Sequence, residues 1–267
     1  MKTRAITGFF FVLVMLASVI FSQYAFAIFF TILSLLSLYE FYQLVEADDT
    51  KPQKITGILI GASIFIPLIL HFLNDVPLRF VSVSIPFIVI TCIGELYRAT
   101  SRPFSNLAFT FFGILYVVIP FAIFCSTAFF EGTFNYHIPL GILLLLWASD
   151  TGAYLFGVKF GKTKLFERHS PKKSWEGFLG GMFTSLVVSF ILGTQYLELD
   201  PIHWAVMSFL IVVGGTYGDL CESMLKRSMN KKDSGTLLPG HGGLLDRFDG
   251  LLFAAPLVFV YLYLISS

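Results

Sequence analysis

Runs of apolar residues separated by short polar breaks organise the whole chain. Crossing a bilayer core takes roughly 20 apolar residues in a helix. Such runs recur at approximately 6–21, 24–45, 55–73, 78–96, 106–129, 138–157, 176–197, 202–224 and 249–265. Ser22-Gln23 splits the first long run, Glu46–Lys54 is polar and contains Pro52, and Asn74-Asp75-Val76-Pro77 is a turn signal. Arg98–Pro103 and Glu131–His137 break the middle of the chain. The pattern predicts an all-α, polytopic transmembrane bundle of about nine helices. It shows no internal repeat, no low-complexity tail and no separate soluble domain. Residues 1–137 read as N-terminal transmembrane helices. Residues 138–267 read as C-terminal helices with polar loops, in the same membrane unit.

Composition agrees with this picture. Hydrophobic residues make up 56% of the chain and charged residues 13%, against roughly a quarter charged in a soluble domain. Too little charge is present to coat a globule, so lipid must be the solvent. A net charge of +1 argues against a nucleic-acid partner. The 31 phenylalanines read as lipid-facing filler. Cys92, Cys125 and Cys221 sit in or near apolar stretches, form no Cys-x-x-Cys pair, and are expected to be inert packing residues. Ala25-Phe26-Ala27 resembles a signal-peptidase site after a basic start. The apolar pattern nevertheless continues through Val45, so an uncleaved first helix is expected.

The distribution of Lys and Arg sets an orientation. With the N-terminus in the cytoplasm, seventeen of the 18 Lys and Arg residues fall on the cytoplasmic side and Arg79 alone on the other. Half of the Lys and Arg residues, nine of 18, lie in two loops, Val158–Ser174 and Arg227–Leu245, both rich in Gly and Lys. The chemistry should be sought there.

Asp219, Glu222, Ser223 and Lys226 stand at i, i+3, i+4 and i+7, on one face of the helix that enters the second loop. Beyond that loop, Asp246 and Asp249 stand at i, i+3 at the start of the last helix. The helix macrodipole favours acid at that end, which accounts for one Asp there but not for Asp219. Carboxylates at membrane depth cost a few kcal/mol unless partnered, and several converging would repel. A divalent cation answers both problems, and carboxylate oxygens suit Mg²⁺. The competing reading pairs the acids with Lys226, Arg227 and Arg247. Gly235, Pro239-Gly240 and Gly242-Gly243 permit tight turns and close backbone approach. With Lys231, Lys232, His241 and Arg247 they suit a polyphosphate. Basic membrane loops can also serve only topology or contact with anionic lipid. Asp150 lies inside an apolar helix. It precedes Ser170-Pro171-Lys172-Lys173-Ser174-Trp175-Glu176-Gly177, where Ser170 or Ser174 could bind a ligand or simply cap the next helix.

The run Ser223-Met224-Leu225-Lys226-Arg227, then Lys232-Asp233, then His241-Gly242-Gly243-Leu244-Leu245-Asp246-Arg247-Phe248-Asp249 resembles the signature of the phosphatidate cytidylyltransferases, also called CDP-diacylglycerol synthases. The Ser-Pro-Lys-Lys-Ser-Trp-Glu-Gly segment resembles a recurrent stretch of the same family. The match is strong over roughly Asp150 to Gly250; earlier helices resemble the family in length and hydropathy only. The resemblance implies a homodimeric, Mg²⁺-dependent membrane enzyme that converts CTP and phosphatidate to CDP-diacylglycerol and pyrophosphate. The default location is a bacterial inner membrane, with the active site facing the cytoplasm. Under that reading Asp219, Asp246 and Asp249 hold Mg²⁺. Asp150 is either a further metal ligand or a hydrogen-bonding partner. Lys226, Arg227, Lys232, Arg247 and Lys172-Lys173 bind phosphates with Ser223, and His241-Gly242-Gly243 shapes the nucleotide-phosphate loop. The catalytic set is Asp219, Asp246, Asp249, Lys226 and Arg247.

Two other classes compete. A CTP-dependent polyprenol kinase would transfer the γ-phosphate and release CDP. An ion or solute transporter would use the buried acids as a pathway, but transporters tend to show paired broken helices in two halves. Here the polar features cluster on one side.

Overall fold

A computed structural model describes residues 2–235 and 242–266, with side chains from residue 8 onward. Among the described residues the chain forms nine helices. They are α1 (Lys2–Phe21), α2 (Gln23–Val45), α3 (Lys54–Asn74), α4 (Leu78–Tyr97), α5 (Pro103–Phe129), α6 (His137–Phe160), α7 (Trp175–Gln195), α8 (Pro201–Ser228) and α9 (Leu245–Ile265). All but α1 are long and apolar enough to cross a membrane; the apolar part of α1 is the shorter stretch Gly8–Phe21. The expected polytopic helical architecture is therefore present. One feature was not anticipated. The first basic loop contains an antiparallel hairpin, β1 (Lys164–Phe166) with β2 (Ser170–Ser174), in register Lys164 to Ser174.

The chain divides into two compact units. The first comprises residues 1–134 together with 229–247, and the second comprises 135–228 together with 248–267. The glycine-rich second loop thus packs with the N-terminal helices.

In the first unit the core is aromatic. Phe26, Phe30, Phe41, Phe65, Phe121 and Phe124 are wholly buried. Phe30 has its ring 4.9 Å from those of both Phe26 and Phe124, within the range where tilted aromatic pairs attract. The phenylalanines are therefore not only lipid-facing filler. Phe9, Phe21 and Phe104 do lie on the outer surface, but these six form the packing centre. Helix α5 widens into a π turn over Ile114–Val118 just ahead of Pro120. The wider turn accommodates a residue that has no amide hydrogen to donate.

The same unit buries a carboxylate among polar partners. Glu95 accepts from Gln53 Nε2 at 2.8 Å, Asn106 Nδ2 at 2.6 Å, Thr100 Oγ1 at 2.9 Å and Arg98 at 2.8 Å. Asn106 also accepts the Lys51 amide at 2.6 Å and so ties the α2–α3 connection to α5. Four donors satisfy a charge that would otherwise be costly at membrane depth.

In the second unit helices approach closely through small residues. Gly214 and Gly218 are spaced i, i+4 on α8 and face Gly250 and Ala254 on α9. A Cβ on Gly214 would come 2.9 Å from the Ala254 Cα, and one on Gly218 would run into the Asp249 carbonyl oxygen. Such small-residue faces bring membrane helices into backbone contact. Between α6 and α7 the Thr184 hydroxyl donates to Ala148 O at 2.9 Å and the Ser185 hydroxyl to Leu145 O at 3.2 Å.

Asn106→Ala removes one donor to Glu95 and the acceptor for the Lys51 amide. It is expected to destabilise the first unit by about 1–3 kcal/mol, read as a lower midpoint of thermal unfolding in detergent. An unchanged midpoint would show that the network is dispensable.

Candidate functional site

The polar cluster of the second unit is built by α6, the hairpin, α7 and α8. Helix α6 runs to Phe160, and the chain turns back through the hairpin into α7. Ser174 is the N-cap of α7: its hydroxyl accepts the Gly177 amide at 3.2 Å. Glu176, in the first turn, accepts the amides of Lys162 at 3.1 Å and Thr163 at 3.1 and 3.2 Å. The Trp175 amide donates to Thr163 O at 3.0 Å. Capping thus explains Ser174, and the Glu176 clamp explains why β2 holds its position. Pro171 and Lys172 are exposed on β2, while Lys173 is half-buried.

Lys173 reaches α8. Its ammonium lies 2.6 Å from Asp219 Oδ2 and 3.4 Å from the Thr216 carbonyl oxygen. Asp219 Oδ1 accepts the Ser223 hydroxyl at 3.2 Å, one helical turn on. Asp150 on α6 interacts electrostatically with both Lys173 and Asp219, and Asp249 on α9 with Asp219, Glu222 and Lys173. Asp249 Oδ1 accepts the Gly250 amide at 2.6 Å. Glu222 is fully buried and paired with Lys226 at 2.7 Å, one turn on along α8.

Part of this cluster borders a cavity of about 250 Å³ lined by Ser149, Asp150, Tyr154, Lys172, Lys173, Ser174, Thr216 and Asp219, together with Gly157, Gly177 and Gly215. The sequence expectation thus comes together in part. Asp150, Asp219, Asp249 and Lys173 form one electrostatic group, and Lys172 shares the cavity wall. Ser149, Tyr154 and Thr216 line it without having been singled out. Ser149 and Thr216 are hydroxyl residues within apolar helices, where little distinguishes a ligand contact from a backbone hydrogen bond. Among the described residues, no three His, Cys, Asp or Glu side chains are grouped so as to hold a metal ion.

The second loop, in the first unit, has a different organisation. Asp246 lies in the first turn of α9, and its Oδ2 accepts the amides of Ser234 at 3.1 Å and Gly243 at 2.9 Å. Glu40 of α2, fully buried, accepts the Leu244 amide at 2.9 Å, the Leu245 amide at 3.2 Å and the Ser234 hydroxyl. The Lys231 ammonium donates to Gln43 O at 2.9 Å and Leu44 O at 2.8 Å, capping the C-terminal end of α2. Gly242 has φ +82°, a conformation that glycine tolerates best. Lys232, Arg227 and Arg247 are exposed. His241 lies outside the described residues. Asp246 was expected to hold metal, and Gly243 to help shape the nucleotide-phosphate loop. In the structure the two are hydrogen-bonded to each other within that loop. Glu40 was not anticipated. Its signal is an acid inside an apolar run, the same signal that drew attention to Asp150.

Comparison with known proteins adds a family. A model of the cytidylyltransferase family matches residues 2–265. Proteins named phosphatidate cytidylyltransferase from Staphylococcus aureus (strain COL) and Staphylococcus saprophyticus are each 33% identical over 271 aligned residues. The one from Staphylococcus haemolyticus is 31% identical. Each alignment covers 98% of this chain and 99% of the relative. With the model spanning almost the entire chain and full-length relatives at this identity, the chain belongs to the cytidylyltransferase family.

Proposed function

We propose that the chain is a phosphatidate cytidylyltransferase: an integral membrane enzyme that makes CDP-diacylglycerol and pyrophosphate from CTP and phosphatidate. The observation that carries the reading is the cavity wall itself. Lys172 and Lys173 stand there beside Asp150 and Asp219, in a unit whose helices are otherwise lipid-compatible. The wall offers cationic groups for phosphates and carboxylates for a cation, at the end of membrane helices where a lipid and a soluble nucleotide can meet.

The chemistry asks little of a base. A phosphate monoester near neutral pH carries about −1.5 to −2 charge, and its oxygen is already nucleophilic. That oxygen attacks the α-phosphorus of CTP. A new P–O bond forms, the α–β bridging bond breaks, and pyrophosphate leaves with the bonding electrons. The barrier lies in bringing two anions together and in stabilising the leaving group. Lys173, anchored on Asp219, and Lys172 on the same strand supply fixed positive charge. Because the Ser174 cap and the Glu176 clamp hold the strand, that charge needs little reorganisation.

Among the described residues no three acids are grouped as a complete metal cage, but Mg²⁺ commonly takes one or two protein carboxylates and completes its shell with substrate phosphates and water. Asp150, Asp219 and Asp249 outnumber the one lysine that interacts with all of them, and their oxygens are the ligands a hard cation takes. Asp219 and Asp249 would hold the ion, with Asp150 beside them. Bound there, Mg²⁺ would neutralise phosphate charge. Ser223 orients Asp219, as partners of ligating carboxylates do. We place the site on the cytoplasmic side of a bacterial inner membrane, in keeping with the asymmetry of Lys and Arg.

Purified protein given CTP, phosphatidate and Mg²⁺ is expected to release pyrophosphate and form CDP-diacylglycerol. Release of CDP with a polyprenol acceptor would instead favour a kinase. Asp219→Asn and Asp249→Asn should each lower turnover by about 100-fold or more while retaining a monodisperse elution profile, because each removes charge where phosphate charge is handled. Wild-type turnover in both would defeat the assignment. Gly218→Leu tests the supporting geometry. Its side chain would displace the Asp249 backbone, and a shift of about 1 Å at a reacting centre costs on the order of 100-fold in rate.

A further inference from the structure

Glu40 is a buried carboxylate that the reaction chemistry does not require. It lies five residues before the end of α2, and it is fully enclosed. Among the described residues its three hydrogen-bond donors all belong to the second loop: the Ser234 hydroxyl on one stem and the amides of Leu244 and Leu245 on the other. Asp246 bridges the same two stems from the other side, through the amides of Ser234 and Gly243. Two carboxylates therefore close the loop, and Lys231 fastens it to the end of α2.

The glycines are shaped to this carboxylate. A Cβ on Gly235 would stand 2.7 Å from the Glu40 Cδ, and one on Gly243 would collide with Oε1. Leu245 opens α9, and its amide and that of Leu244 just before it have no partner within the helix. A negative charge placed against them also complements the helix dipole. Glu40 therefore caps α9 from a distant part of the sequence, in the manner of an N-cap residue.

We propose that Glu40 is a positioning residue for the nucleotide side of the reaction. It clamps Ser234 to the start of α9 and so fixes the two described stems of the loop and the Asp246 side chain. The role rests on the cytidylyltransferase reading for its link to CTP. The clamp itself rests on the hydrogen bonds alone. Bonds to an ionised carboxylate are about twice as strong as neutral ones. An amide in the same place would retain one acceptor oxygen and turn a donor toward one of the loop's donors.

Glu40→Gln, which preserves side-chain size, separates this role from simple packing. Hydrogen exchange should speed up by about tenfold to a hundredfold in the peptide covering residues 242–250, with α3 and α7 peptides unchanged. The KM for CTP should rise by about tenfold or more, with the KM for phosphatidate within about twofold of wild type. Wild-type exchange in that peptide would overturn the clamp. Equal rises in both KM values, or exchange accelerated throughout the first unit, would reduce Glu40 to a packing residue and overturn the proposal. Faster exchange with an unchanged KM for CTP would overturn the nucleotide link. If Glu40→Gln does not yield folded protein, Glu40→Asp decides on the same criteria, since it keeps the charge but shortens the reach. A wild-type protein that makes no CDP-diacylglycerol would refute the enzymatic reading separately, and the exchange experiment would still decide the clamp.

Discussion

The 2.6 Å ion pair between Lys173 and Asp219 joins the hairpin to α8, and the polar wall of the second unit depends on it. Both side chains are partly exposed, so the pair itself adds little to stability. Paired, each fixes the other. Lys173 is directed from the clamped strand onto α8, and Asp219 is held where the Ser223 hydroxyl reaches it. The cost of desolvating such a pair can consume its Coulombic gain, so its value is in placement. It sets the position of one fixed positive charge among three carboxylates. Mobile lysines on an open loop could not do that without ordering entropy being lost at each turnover.

The same constraint, met in three ways, explains the distribution of acids in the protein. Glu95 is answered by neutral amide and hydroxyl donors together with Arg98, and nothing about it invites a ligand. Glu40 is answered by backbone amides and a hydroxyl of one loop, so its charge has become a structural tie. Asp150, Asp219 and Asp249 share chiefly one lysine, and the first two border a cavity. Only the last group leaves negative charge uncompensated by local protein donors, and that is what a cation-assisted phosphate chemistry requires. Burial of an acid is thus a poor guide to function by itself. The identity of its donors separates the classes.

Much of the architecture was readable from the chain because lipid imposes a simple rule. Every backbone polar group must be satisfied within the segment, so apolar runs of sufficient length are helices, and the polar breaks fall where helices end. Asp219 and Asp249 were readable for a related reason, as acids at helical spacing beside a basic loop. Three things were hidden. The hairpin of residues 164–174 has no apolar alternation to announce it. Its register is held instead by Glu176 and Ser174, residues that also read as an ordinary helix start. The buried phenylalanines were indistinguishable from lipid-facing ones, because the membrane and the protein interior select the same side chains. Glu40 was hidden by distance: its partners lie some two hundred positions away, at 234, 244 and 245, and no local pattern connects them.

That distance bears on how the glycine-rich loop should be understood. Glycine beside lysine invites a phosphate-cradle reading, in which bare backbone lies open to the ligand. Here the space left by Gly235 and Gly243 is filled by the protein's own carboxylate. The Gly243 amide is taken by Asp246, and the next two amides are taken by Glu40. The loop's anionic partner along this stretch is internal. A negative group built into the fold occupies the helix N-terminus at which external phosphates often bind. It follows that the stem's amides supply rigidity and are already engaged by the protein's own carboxylates. A substitution at Gly243 should therefore act through Glu40 before it acts on any ligand.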